Sequence, residues 1–531
     1  MRENHDMRAG IVIDGRIEAN QARTAFAPAG SNGMFERVKA RYPRRMFGNE
    51  MRALALICMV GGLLFQTSAS GQQAPGPVVE EKPDQVELPA AGPAVEDGAA
   101  AQAEQPAADI AGVAGTMTRG GLVNGTKIIH VTSLADHGEG TLRAALADSS
   151  PRIIVFDVGG TIELESYLRI GHPFVTVAGQ TAPSPGILLR GDKLRIATHD
   201  VVVQHISVRP GRQDPVPDNA DGISIGPCTD CRYETRDIRL ENVSVSWATD
   251  ENIGLWGDTV SGITIRNSII AEALDKAGHE KGGHSMGILI GEDVKSVEVV
   301  GNLFVSNNYR NPVIGGDTST FVANNFIYNP GRSAIHMFVG EGKARASIIG
   351  NVIKRGPSSR RDLTVLQWKG DFAENYARAL VFEGDNHCCS GSTYDNAVPY
   401  SKTARFANTP PVVSRSWTVM PASEVWNWVD RHAGSRPAER QAIDSRIVAF
   451  VRYAVGAIID DPAQVGGYLG VSVTAQAPAV IPDKPFAIVG TTEKTRIEAW
   501  LCLRHLQVGG GQTPECSESA AELEEALFGG D

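Results

Sequence analysis

Short apolar runs of four to six residues recur through the middle of the chain from about Val123, alternating in polarity and broken by Gly, Asn or Asp. Five share one pattern, an Asn after an apolar run and before the next: Leu240-Glu241-Asn242-Val243, Ile265-Arg266-Asn267-Ser268, Val300-Gly301-Asn302-Leu303, Val322-Ala323-Asn324-Asn325 and Ile349-Gly350-Asn351-Val352. His205 holds the Asn position in Val203-Gln204-His205-Ile206. From Asn242 onward the spacings are 25, 35, 22 and 27 residues. A period of this size, stretched where loops intrude, marks a solenoid. It predicts an all-β, right-handed parallel β-helix over 113–420. Each coil turns at an Asn that tolerates left-handed geometry, and its amide bonds to the Asn of the next coil. Stacked coils then bury one core of Ile, Val, Leu and Phe. A β-sandwich with chance Asn spacing is the competing reading. It needs hairpin turns every ~8–12 residues, and Asn-Gly and Asp-Gly turns are scarce.

A solenoid exposes strand edges that need cover. Gly140 to Leu146 predicts a short amphipathic cap helix at the N-terminal end. At the other end, within 421–470, Ala422 to Arg431 and Ala438 to Val455 show helical periodicity. Val425, Trp428 and Val429, then Ile443, Ile447, Val448 and Val451, line faces that pack on the stack. The tail, 471–531, carries one more predicted helix, Thr492 to Leu506, with no role legible.

Composition agrees with many short strands: Gly reaches 57 residues while aromatics make up 6%. A formal charge of −11 argues against a nucleic-acid partner, which needs a basic face. The longest apolar run, Ala53 to Phe65, is thirteen residues, below the ~18–20 of a membrane span. Basic residues precede it (Arg37, Lys39, Arg41, Arg44, Arg45, Arg52) and Thr67-Ser68-Ala69-Ser70-Gly71 follows. That order predicts a secretory signal within 1–71, after an over-extended start in which Met34, Met46 or Met51 would give an ordinary leader. The expected location is secreted or periplasmic. Residues 72–112, rich in Ala, Pro and Glu, read as a disordered linker. Losing the leader removes ten Lys/Arg and six Asp/Glu, taking the charge from −11 to about −15. Six cysteines remain, in the order Cys228, Cys231, Cys388, Cys389, Cys502, Cys516. In an exported chain they favour disulfides, Cys502–Cys516 among them, with half a zinc site at Cys228-x-x-Cys231 as the alternative.

The long intervals matter most. Extra loops protrude between His205 and Asn242 and between Asn267 and Asn302, and loops on a rigid scaffold gather binding residues. They and their neighbours carry Asp218, Asp221, Asp250, Glu251, Lys281 and His284, with Tyr309-Arg310-Asn311-Pro312 one coil later. Positions one coil apart stand about 4.8 Å apart, so these residues can share a groove.

These residues carry a resemblance. Asp221-Gly222-Ile223, Trp247-Ala248-Thr249-Asp250-Glu251-Asn252, His284-Ser285-Met286-Gly287, Arg310-Asn311-Pro312 and Asn324-Asn325 together resemble the pectate lyase superfamily. Val131 to Asp136 with Gly140 to Arg143 looks like its N-terminal part, and Asp444 to Val448 with Gly466-Gly467-Tyr468 like the tail of a bacterial branch. The likeness runs from about Gly120 to Tyr468. It implies a polysaccharide lyase cutting an acidic uronan by calcium-assisted β-elimination, acting as a monomer. Calcium neutralises the carboxylate beside C5 and lets a −15 protein meet a polyanion.

By the same resemblance Asp221 and Asp250 match calcium ligands. A third family carboxylate falls at about Gly254, and Glu251 is the nominated substitute. Arg310 matches the proton-abstracting arginine. A guanidinium is a poor base, so that role needs nearby positive charge, from calcium or Lys281, or else Arg310 stabilises the enolate-like intermediate. His284 falls near a substrate-binding lysine and either binds a carboxylate or satisfies its own loop; Lys281 is a second substrate-binding candidate. The chain departs from the family's fullest arginine pattern, with Val313-Ile314-Gly315 after the Pro. Two alternatives stand: a glycoside hydrolase on the same fold, and a non-catalytic polysaccharide-binding β-helix.

Overall fold

The computed structural model describes residues 112–216, 219–339, 343–368, 378–389, 405–468, 474–489 and 493–529. The expected leader, nearly all of the linker and Asp218 lie outside them. Strands repeat in a fixed cycle through three long sheets of eleven, ten and eight strands. One coil runs His199–Gln204 in the first sheet, Ile206–Arg209 in the second and Ile223–Ile225 in the third, and Arg236–Glu241 then returns to the first. Neighbouring coils pair in parallel, so Val203, Leu240, Ile265 and Val299 form one inward ladder. These four are fully buried in the main core. Each such side chain contributes about 1.5–3 kcal/mol by leaving water. The fold is the expected right-handed parallel β-helix.

The turn from first to second sheet divides between two residues the work that the sequence reading gave to one Asn. The left-handed position is held by His205, Asn242, Asn267, Gly301, Asn324 and Gly350, with φ between 51° and 64°. The hydrogen-bonded ladder belongs to the next residue. Asn302 Nδ2 donates to Asn325 Oδ1, Asn325 to Asn351 and Asn351 to Asn386, each at 2.9 Å. An apolar run pinned by that ladder cannot slip by one residue without leaving buried amides unpaired.

At the N-terminal end α1 (Leu142–Ala147) starts at Thr141, whose hydroxyl accepts from the Ala144 amide at 3.2 Å. It buries Leu142, Ala145 and Leu146, and the buried Arg152 guanidinium donates to the carbonyls of Ala145 and Leu146. The later helices α2 (Val425–His432) and α3 (Ala442–Arg452) pack on the stack, along the flank of the second sheet rather than across its C-terminal end. Val425, Val429, Ile443, Ile447 and Val451 meet Ile269, Leu303, Phe326 and Tyr328 there. The flank is apolar where solvent-facing strands would be polar, which is why the helices settle on it. Asp444 of α3 fixes the contact by accepting from the fully buried Arg209 at 2.5 Å and from Ser244 at 2.6 Å.

The tail helices α4 (Arg496–Gln507) and α5 (Ala520–Phe528) cover the outer face of the first sheet, burying Ile153 and Val155. Disulfides join Cys228–Cys231, Cys388–Cys389 and Cys502–Cys516, so the CxxC is a bonded loop and not half a zinc site. Among the described residues no helix is long and apolar enough to cross a membrane.

Candidate active site

The turns between the second and third sheets carry the candidate chemistry, one contribution per coil. Asp221 precedes the strand Ile223–Ile225, Asp250 precedes Glu251–Leu255, His284 precedes Met286–Ile290, and Arg310 precedes Val313–Gly315. Backbone pairing locks these turns in register. The Gly222 amide donates to the Glu251 carbonyl at 2.9 Å, and the Gly287 amide to that of Tyr309 at 3.0 Å. Beneath them Asn252 Nδ2 donates to Asn307 at 3.3 Å, and Asn307 to Asn311 at 3.0 Å. This buried amide chain under the turns was not read from the sequence, although three Asn beside the loop residues were a visible signal.

Three carboxylates converge: oxygens of Asp221, Asp250 and Glu251 lie within 4.8 Å of one another, and all three residues are buried. Strand alternation alone would not let Asp250 and Glu251 meet, as the nomination of both for one cation requires. They do because Asp250 stands in the bend and Glu251 opens the strand. Gly254 faces the same spot. A Cβ there would come within 2.9 Å of Asp221 Oδ2, so the glycine leaves that carboxylate its space.

The Arg310 guanidinium donates to Glu251 from a backbone in the left-handed region, φ 60°. Such a conformation costs energy in a non-glycine residue and persists where the surroundings over-determine it. Burial pulls the guanidinium below its ordinary range, and Arg332 pushes the same way, while Asp250 and Asp221 oppose. Arg332, stacked over the Tyr309 ring at 4.0 Å, was missed by the sequence reading; its Gly331-Arg332-Ser333 turn, one coil on from Arg310, was the available signal. Burial and the neighbouring Asp250 push Asp221 up to about 7, with Lys193, Ser224 and Arg310 opposing.

Two histidines flank Asp250. His284 Nε2 is 3.5 Å from one oxygen and His279 Nε2 3.8 Å from the other, with the rings 3.8 Å apart. His284 Nδ1 also contacts the Gly282 carbonyl at 2.8 Å, so this side chain both serves its loop and faces the acids. Lys281 is exposed, and its amide donates to His279 Nδ1 at 3.2 Å. His279 itself was not singled out from sequence, although the His279-x4-His284 pair within a Gly-rich loop was legible.

The residues fit a hard divalent cation. Asp221 Oδ1 is buried with no hydrogen-bond partner, and oxygens of three carboxyl groups converge beside the Arg310 guanidinium. An all-oxygen set of this kind suits Ca²⁺.

No protein-family model matches the chain. The "Probable pectate lyase C" of Aspergillus flavus is 31% identical over 378 residues, covering 69% of this chain and 83% of the relative. The chain belongs to the pectate lyase family. It is a polysaccharide lyase by that membership. The protein of the same name in Neosartorya fischeri is 33% identical over 350 residues, covering 64% of this chain and 76% of that one. Among solved structures, a Bacillus subtilis pectate lyase matches with a TM-score of 0.42 at 12% identity, over 60% of this chain and 94% of that one. After the Arg310 turn the buried Val313 is packed beside Leu289 and His336.

Proposed function

We propose that this lyase is secreted and cleaves a pectate-like uronan by calcium-assisted β-elimination, with Asp221, Asp250 and Glu251 holding the cation and Arg310 taking the C5 proton. The observation that carries this reading is the meeting of three acids and one guanidinium from three coils of the stack. Calcium, when bound, would neutralise the substrate carboxylate and acidify the neighbouring C5–H. The protein's residues do the rest. Arg310 is oriented by Glu251, and burial together with Arg332 favours its neutral, proton-accepting form. Loss of the C5 proton, formation of the C4–C5 double bond and departure of the O4-linked sugar balance the elimination. His284 and Lys281 are assigned to the substrate's carboxylates, on the same loop as the acids' neighbour His279.

A hydrolase on this fold would hold two carboxyl groups about 5–5.5 Å apart for retention or about 6.5–9.5 Å for inversion. Here three acids, rather than a pair, turn oxygens to one spot within 4.8 Å of one another, as befits shared ligation. Secretion is supported by the apolar run Ala53 to Phe65 behind its basic stretch and by three disulfides, which persist in oxidising compartments.

The test is growth of unsaturated-uronate absorbance when purified protein meets polygalacturonate. The expected rate vanishes with chelator, falls ~10³-fold or more in Arg310→Ala, and rises with pH through the alkaline range as the neutral guanidinium grows. Unchanged turnover in Arg310→Ala would remove the base. A rate independent of pH would leave Arg310 as an electrostatic stabiliser.

A further inference from the structure

Asp250 faces two different sets of donors. One set is the oxygens of Asp221 and Glu251; the other is a pair of imidazoles, for which an oxygen-seeking cation such as calcium has no use. Asp250, His279 and His284 bring one donor atom each to within 4.8 Å of one another, and all three residues are buried. Both imidazoles come from one loop, which leaves the strand Ile269–Ala271 and re-enters the stack at Met286–Ile290. Its neck is tied by the Ser285 amide donating to the Leu274 carbonyl and the His284 amide to the Asp275 carbonyl, each at 2.9 Å. Gly278 and Gly282 turn the loop at φ 99° and 91°, a reversal that lets His279 and His284 lie over the same carboxylate.

The spacing suits ligands of one ion better than hydrogen-bonded partners. His284 Nε2 stands 3.5 Å from one oxygen of Asp250 and His279 Nε2 3.8 Å from the other, both beyond a good hydrogen bond. Two ligands each about 2.0–2.1 Å from a tetrahedral ion are about 3.3–3.4 Å apart, so a small cation fits between the nitrogens and the carboxylate. His284 is oriented from behind. Its Nδ1 lies 2.8 Å from the Gly282 carbonyl, which only accepts, so the neutral ring keeps its proton there and turns the Nε2 lone pair toward Asp250. His279 Nδ1 accepts from the Lys281 amide at 3.2 Å; a cation on Nε2 moves the ring proton to Nδ1 and releases that one long bond. A cavity of about 260 Å³, lined by Arg212, Asp214, His279 and Glu280 among others, adjoins the pair and offers an ion a way in.

We propose that His279, His284 and Asp250 form a site for a divalent transition cation of the zinc class, distinct from the calcium acids but sharing Asp250 with them, so that filling it inhibits the enzyme. Two nitrogens and one carboxylate are a donor set for Zn²⁺ or Co²⁺. A cation on the imidazoles engages the carboxylate that the acid cluster also needs, and it takes His284 away from substrate. The site itself does not depend on the polymer reading, and it meets the calcium reading only at Asp250.

The experiment titrates Co²⁺, a coloured stand-in for zinc, into tag-free protein without calcium. The expected result is one equivalent bound with the visible absorption of four-coordinate cobalt, reversed by Zn²⁺, and at least about tenfold weaker binding in His279→Gln and in His284→Gln. Cobalt held by the three acids alone would be six-coordinate and nearly colourless. Calcium isotherms with and without micromolar Zn²⁺ then test the shared carboxylate. Zinc is expected to weaken calcium binding about tenfold in the wild type and to have no effect in His279→Gln, whose own calcium binding shows that it is folded. Colourless cobalt binding, or equal cobalt binding in the wild type and both variants, overturns the site. Calcium binding indifferent to zinc in the wild type overturns the sharing of Asp250 and with it the inhibition. A wild type that binds cobalt as described but no calcium would overturn the calcium reading and leave the histidine site standing.

Discussion

Asp221 is held in a conflict between stability and function. It is buried beside Asp250, with one oxygen unpaired, and titrates near 7 where a free aspartate titrates near 3.8. The folded state therefore keeps a proton that the unfolded chain gives up. Without metal, stability falls as pH rises from about 3.8 to about 7 and stays low above it. Asp221→Asn removes the buried charge at pH 8. It is expected to raise the metal-free Tm by a few degrees while abolishing calcium-dependent turnover, measured by calorimetry in chelator and by product absorbance. A lower Tm for that variant at pH 8 would show that the carboxylate is not under strain. Glu251 plays a different part, because the same carboxylate serves Arg310 and faces the other two acids. The sequence named all three acids by their coils. It could not show that Asp250 and Glu251 converge, because that depends on where a bend ends and a strand begins.

At the scale of elements, the asparagine ladder sets the register that brings these turns together. Asn325 accepts from the Asn302 amide at 3.0 Å and its side chain at 2.9 Å, and donates to Val299 and Asn351. Asn325→Ala strands a buried backbone N–H and is expected to cost about 2–4 kcal/mol in denaturant unfolding, with kcat unchanged at moderate temperature. A loss under 0.5 kcal/mol (about the net worth of one weak hydrogen bond) would mean that apolar stacking alone holds the register. The recurrence of Asn was legible because it repeats at the solenoid period. The division of labour was not: Gly301 and Gly350 take the left-handed position, so an Asn in this pattern sits one residue later in some coils than in others. The helices were legible as amphipathic faces. Their docking site was not, since periodicity gives a face and not its partner. Only the apolar outer surface of the second sheet, with Arg209 waiting for Asp444, decides it.

Over the whole molecule, the proposed function asks an acidic protein to receive an acidic polymer. Its −11 charge is not spread evenly along the groove. Acids gather at one point, Asp221, Asp250 and Glu251 forming a set that a divalent cation would suit. The tail joins this scheme only as cover: Glu515 meets Arg239 and Arg266 on the first sheet, away from the groove turns. Its helix propensity was visible in the sequence, but not that it seals a sheet face. Stacking in register is what brings residues 89 positions apart, Asp221 and Arg310, to one cluster of turns. A calcium-binding isotherm on the purified protein tests that claim most directly. Tight, saturable binding in the wild type that is lost in Asp250→Asn and kept in Arg310→Ala is the predicted result. Calcium binding unchanged by Asp250→Asn would contradict it.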